Sequence, residues 1–125
     1  MAALSEIMTS DVYMAPKTAT VAEVAEAMVR GRFGSAIVGD TQMILGIFTE
    51  RDVLRAAAAG IDPTGSKVSE WMTKDPITAE PDTDDQEATE MMLSGGFRHL
   101  PVVEGNRLVG IVSLRDVLSA RIARR

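Results

Sequence analysis

The sequence predicts an α/β (α+β) fold built from two pseudo-symmetric β-α-β-β-α repeats packed sheet to sheet. Three observations carry that prediction. The chain matches itself without a gap at an offset of 64 positions, both copies show the same order of apolar runs and helical stripes, and one copy alone is too small to bury its apolar surface. Ser5-Glu6-Ile7-Met8-Thr9 meets Ser69-Glu70-Trp71-Met72-Thr73. Gly46-Ile47-Phe48-Thr49-Glu50-Arg51-Asp52-Val53-Leu54 meets Gly110-Ile111-Val112-Ser113-Leu114-Arg115-Asp116-Val117-Leu118. A period this long in only two copies does not suit a solenoid. The expected organisation is a first repeat over 1–60, a linker over 61–67 and a second repeat over 68–125.

Each element has a local cause. A short extended segment opens each copy, around Val12–Met14 and Pro76–Thr78, before a polar stretch with Pro16 or Pro81. A helix follows. Thr20 stands three residues before Glu23 and Asp84 three before Glu87, so a side-chain oxygen can take orphan N–H groups of the first turn. Val21, Val24, Ala25, Met28 and Val29 form an apolar stripe at helical spacing. Gly31 and Gly95-Gly96 suit the left-handed residue that ends many helices. Next come paired apolar runs, Ala36–Val38 with Ile44–Phe48 and Leu100–Val103 with Leu108–Val112. Turn residues Gly39-Asp40 and Gly105-Asn106 make each pair a hairpin, and the unbroken apolarity implies burial on both faces. A last helix begins near Glu50 and again near Leu114, and the stretch Gly60–Ser66 between the copies is rich in breakers.

Composition narrows the function classes. The 125 residues include no cysteine, which removes disulfides, a thiolate nucleophile and a Cys-based zinc site. A net charge of −5 argues against non-specific nucleic-acid binding, and no apolar run approaches the roughly 20 residues that span a bilayer. The N-terminus has no secretory pattern, so a cytoplasmic setting is expected. Arg115, Arg121, Arg124 and Arg125 fit a solvated helix face whose charges suit a helix C-terminus. Trp71, Phe33, Phe48, Phe97 and the eight methionines read as core or interface filling.

At Gly46–Asp52 and Gly110–Asp116 the sequence resembles the CBS-domain family. Met8-Thr9, Met72-Thr73 and Phe97-Arg98-His99-Leu100-Pro101-Val102-Val103 support the likeness, which covers essentially the whole chain. The resemblance implies a Bateman module, often a disc-shaped dimer, whose clefts commonly bind AMP, ADP, ATP or S-adenosylmethionine. It also implies a regulatory ligand rather than a required cofactor, and output through an unknown protein effector. AMP is the first expectation, because an acidic chain disfavours more highly charged ligands. A homodimer through small-residue helices such as Ala56–Ala59 is expected.

Physical chemistry supplies a candidate site beside that likeness. Thr49 and Ser113 would stand at a helix N-terminus, where free N–H groups and the helix dipole favour phosphate. Asp52 and Asp116, one turn in, can accept hydrogen bonds from the two hydroxyls of a ribose, as acids do in dinucleotide folds. Arg51, Arg98, His99 and Arg115 are weaker candidates for phosphate contacts. Where the family pattern would place an adenine slot, the sequence has Val12, Tyr13, Met14, Pro76, Ile77, Thr78 and Pro101. The same Thr/Ser-x-x-Asp strings are ordinary capping boxes, and the two roles need not exclude one another.

The copies differ. Gly34-Ser35-Ala36-Ile37 stands where the second has Arg98-His99-Leu100-Pro101, so the two sites are expected to differ in affinity, with only one binding tightly. Catalysis is not expected: no Ser–His–Asp order, P-loop or metal signature appears. Asp82-Thr83-Asp84-Asp85 lacks the remaining positions of a calcium loop and reads as a solvated acidic helix start. The competing function is a structural or protein-interaction CBS dimer without a small-molecule ligand.

Overall fold

The computed structural model describes residues 2–123, so Arg124 and Arg125 lie outside the described residues. The chain forms two compact units. A central unit covers Tyr13–Pro76, and a terminal unit joins the segment through Val12 to everything from Ile77 onward. The units therefore cut the chain at different places from the sequence repeats. Each takes one opening segment from the other repeat.

In the central unit, β1 (Met14–Ala15) leads to α2 (Val21–Gly31), then β2 (Ser35–Gly39), β3 (Ile44–Thr49), α3 (Glu50–Ala58) and β4 (Thr73–Lys74). The sheet order is β1-β2-β3-β4, with β1 parallel to β2 and the other pairs antiparallel. The extended segment expected at Val12–Met14 thus pairs as Met14–Ala15, sharing only Met14 with the expected range, where its register meets Ile37 and Val38. The fourth strand was not expected. It exists because Gly46 leaves room for it: a Cβ there would stand 2.6 Å from both Met72 Sδ and Thr73 O. Ala36, Ile37 and Val38 have no exposed surface, as expected for a strand covered on both faces.

The start of α2 is held from two directions. Thr20 Oγ1 accepts the Glu23 N–H at 3.1 Å, and Glu23 Oε1 accepts the Thr20 N–H at 2.9 Å. The breaker-rich stretch also contributes, because Pro63 O and Ser66 O accept the Ala22 and Val21 N–H groups, each at 2.9 Å. It is a cap as well as a connection. At the other end the left-handed residue is Arg32 (φ 58°), not Gly31. Gly31 is required for a different reason: a Cβ would stand 2.0 Å from the Phe33 ring. Gly95 repeats this against Phe97 at 2.2 Å, and there Gly96 (φ 72°) turns left-handed as expected.

The terminal unit holds α1 (Leu4–Ile7), α4 (Asp85–Gly95), β5 (His99–Glu104), β6 (Arg107–Ser113) and α5 (Leu114–Ala123). Pro76–Thr78 is not a strand. The pairing falls instead on Ala79, which bridges to Val102 in parallel, at the position equivalent to Ala15. Thr9 bridges to Ile111 as Thr73 does to Ile47, with Met8 lying over Gly110 as Met72 lies over Gly46. Asp85 is fully buried, so the acidic helix start is only partly solvated, and its N–H donates to Ala2 O at 2.9 Å.

Each unit has its own core. Ala15, Val21, Val24, Met28, Ala36, Val38, Phe48 and Val68 form one, and Leu4, Ala79, Ala88, Met92, Leu100, Val102, Val112 and Val117 the other. The cross-strand pair Ala36–Phe48 corresponds to Leu100–Val112. A small-plus-large pair in one core is thus a medium-plus-medium pair in its twin, a swap that keeps the filled volume roughly constant.

Two predictions follow from these local causes. Ala36→Leu overpacks and Phe48→Val leaves a cavity, so each alone lowers stability by about 1–3 kcal/mol. The double variant recovers most of the loss, a coupling read from urea unfolding of all four proteins. Separately, the Glu23 carboxyl is held below its ordinary value of 4.5, first by the Thr20 backbone hydrogen bond and then by the Thr20 side chain. A depressed acid stabilises the fold above its unfolded pKa and loses that effect as pH falls through its folded pKa. The Tm gap between wild type and Glu23→Ala is therefore complete at pH 6 and shrinks below about 4.5.

Candidate functional site

Both expected sites sit at one kind of junction, where the second strand of a hairpin turns directly into a helix. In the central unit the junction is Thr49–Glu50. The Glu50 N–H donates to Gly34 O at 3.1 Å, tying the first turn of α3 to the residue before β2. The Thr49 N–H donates to Asp52 Oδ2 at 2.9 Å, and the Thr49 hydroxyl reaches the same oxygen at 3.3 Å. The other oxygen, Oδ1, accepts from Arg55 Nη1 at 2.8 Å. Asp52 is only 4% exposed. Every face of this carboxylate is engaged or covered.

The terminal unit repeats the frame with different occupancy. The Leu114 N–H donates to Arg98 O at 2.8 Å. The Ser113 N–H donates to Asp116 Oδ2 at 3.2 Å, and Asp116 N–H returns a bond to Ser113 Oγ at 3.0 Å. Here the carboxylate is exposed, and among the described residues no ion pair engages it. The Ser113 hydroxyl accepts one bond and keeps its proton to donate. This junction offers a donor hydroxyl, an accessible acid and a helix N-terminus together.

The weaker candidates divide between the units. His99 is the register partner of Ser113, and Arg98 precedes it with an exposed side chain. The basic pair therefore stands beside the Ser113 junction by backbone placement. In the central unit the register partner of Thr49 is Ser35. Arg51 and Arg115 follow their junctions by two residues and are exposed. Tyr13 and Met14 lie along β2, with Tyr13 O accepting the Ile37 N–H at 3.0 Å and the Tyr13 ring 5.3 Å from that of Phe33. Pro101 is buried in β5, and its carbonyl accepts the Ala79 N–H at 3.0 Å. Ile77 is exposed, while Val12, Pro76 and Thr78 are half-buried. Val12 belongs to the terminal unit and Pro76 to the central one.

At the central junction Arg55 was not singled out from the sequence, and Trp71 was read there only as core or interface filling. Arg55 holds Asp52, and its guanidinium carbon lies 5.7 Å from the Trp71 ring centroid, within cation–π range. The i, i+3 spacing of Asp52 and Arg55 was the available signal. No group of three or more His, Asp or Glu side chains able to hold a metal ion occurs among the described residues. Nor is any helix among them long and apolar enough to cross a membrane.

Comparison with known proteins places this architecture. The CBS domain model matches residues 4–59 and again 68–123. A 17.7 kDa protein of Acidianus ambivalens is 42% identical over 120 residues, which are 94% of this chain and 71% of that protein. The solved CBS-domain containing protein of Agrobacterium tumefaciens is 32% identical with a TM-score of 0.89, covering 96% of this chain and 99% of that one. A CBS domain protein of Pyrobaculum aerophilum, complexed with AMP, is 28% identical with a TM-score of 0.86 and covers 99% of this chain and 100% of that one. Across other relatives the chain spans between 84% and 14% of the relative's own length, so the pair of repeats occurs both nearly alone and inside much longer proteins. With the family model matched twice, on units that repeat one strand-to-helix junction, this chain belongs to the CBS domain family and carries a tandem pair of the domain.

Proposed function

We propose that this CBS pair is a non-catalytic, cytoplasmic regulatory module that binds an adenine nucleotide or adenosyl compound, with AMP as the first choice. One observation carries the reading. The Ser113–Asp116 junction sets a hydroxyl able to donate beside an exposed carboxylate at a helix start. Phosphate suits the hydroxyl and the helix N-terminus, and a ribose diol suits the acid. The AMP complex of the 28% identical Pyrobaculum protein supports the choice of ligand.

In this reading Thr49, Asp52, Ser113 and Asp116 are the ribose and phosphate residues of the pair. Arg51, Arg98, His99 and Arg115 assist with phosphate. Val12, Tyr13, Met14, Pro76, Ile77, Thr78 and Pro101 supply the adenine slot. Output passes to a partner protein or through self-association.

A ligand present at a hundred times its dissociation constant stabilises the fold it binds by about 2.7 kcal/mol. AMP is therefore expected to raise Tm in a thermal-shift titration. Asp52→Ala combined with Asp116→Ala abolishes that rise while the variant remains folded. A flat wild-type response to AMP, ADP, ATP and S-adenosylmethionine would sink the reading.

A second reading, an interaction dimer without a small-molecule ligand, has its own observation. Val29 is 79% exposed and Leu54 70%, on neighbouring helices α2 and α3. Their equivalents Leu93 and Leu118 are also exposed, on α4 and α5. Each unit leaves the same apolar positions uncovered, which suits a second copy of the chain. Sedimentation is expected to show a dimer that Leu54→Asp with Leu118→Asp converts to monomer. A monomeric wild type removes this reading and leaves nucleotide binding standing.

A further inference from the structure

The two units carry equivalent residues at each position, so their differences can be read as substitutions within one frame. At the central junction a trio is assembled: Asp52 Oδ1 takes Arg55 Nη1 at 2.8 Å, and Arg55 lies over Trp71. The equivalent positions in the terminal unit hold Asp116, Ser119 and Ile7. Both the guanidinium and its aromatic platform are missing there. The exposure of the acids follows suit, with Asp52 buried and Asp116 open.

We propose that Arg55 is a specificity-determining residue that occupies the Asp52 carboxylate, so that the free protein offers a ribose diol only one acid, Asp116. The proposal rests on the nucleotide-binding reading and deepens it. A diol needs carboxylate oxygens able to accept its two hydroxyls. At Asp52 one oxygen is used by Thr49 and the other by Arg55. Because Arg55 is on the same helix, it competes as an intramolecular donor, at an effective concentration on the order of millimolar or more. Trp71 adds a second hold on the guanidinium, which counters the weakness of an ion pair whose arginine is 55% exposed. The unit without the latch is also the one whose junction stands beside Arg98 and His99.

Calorimetry with AMP on the full chain tests this. Wild type is expected to bind one AMP per chain, and Asp116→Asn to lose it. Arg55→Ser, which places the terminal unit's residue in the central frame, is expected to gain a second site. Trp71, the sole tryptophan, reports that second event through its emission, and adding Asp52→Asn removes it. The converse graft guards against a fold defect at Arg55: Ser119→Arg at an exposed helix position is expected to weaken the Asp116 site at least tenfold.

Two equal sites in wild type would overturn the proposal. So would an Arg55→Ser stoichiometry that stays at one, or a wild-type site lost in Asp52→Asn but kept in Asp116→Asn. Each of these outcomes leaves nucleotide binding itself intact. Absence of AMP binding in wild type and Arg55→Ser alike overturns the underlying reading, and Arg55's role with it.

Discussion

The strand-to-helix junction is the constraint on which both units depend. A helix that starts without a loop has orphan N–H groups at the point where the hairpin ends. Gly34 O and Arg98 O take the first of these, and Asp52 and Asp116 take the N–H of the capping residue. The carbonyls belong to the residues just before β2 and β5, so each bond closes the hairpin and fixes the helix together. The side chains that cap are thereby held at the sheet's end with defined orientation. Under the proposed function, capping and ligand contact share this one geometry. An acid bound through one oxygen to its own backbone is already oriented to offer the other.

Much of this was legible because the sequence states it twice. Thr20 and Asp84 start helices where the capping pattern put them, and the second hairpin turns at Gly105-Asn106 as expected, whereas the first turns over Asp40–Met43 with Gly39 still paired in β2 at a bulge. What repetition obscured was ownership. Met8-Thr9 and Met72-Thr73 open their own repeats in sequence, yet each completes the sheet of the other, against Ile111 and Ile47. Two copies of a segment satisfy the same pairing pattern, so spacing cannot say which copy serves which sheet. The strand ends shifted for a related reason. Val12–Met14 and Pro76–Thr78 look extended, but pairing falls on Met14–Ala15 and Ala79, because register is set by the neighbouring strand.

Other misses came from contacts that composition cannot display. Gly31 resembled a helix terminator, whereas its lack of a Cβ serves the Phe33 ring two residues on. The stretch after Gly60 reads as a linker from its turn formers, and a second role was hidden in it. Those same turns aim Pro63 O and Ser66 O at the start of α2. Asp85 looked like one of several solvated acids, yet it is buried at the position where the central unit has Val21. For the stretch after Gly60 and for Asp85 the partner was distant in sequence.

Duplication followed by divergence explains how one frame can hold unlike sites. The equivalent core pairs Ala36–Phe48 and Leu100–Val112 differ in a compensating way, which suits a packed interior that tolerates exchange of volume between neighbours but not its loss. At the junctions no such compensation is required, because the capping bond uses a single carboxylate oxygen. The second oxygen is free to differ between the copies. Arg55 with Trp71 engages it in one unit, while Ser119 with Ile7 leaves it open in the other. The fold thus holds the part of the motif that builds the junction and leaves the second oxygen free to vary. The difference between the two junctions is then a product of this architecture, not an accident laid over it.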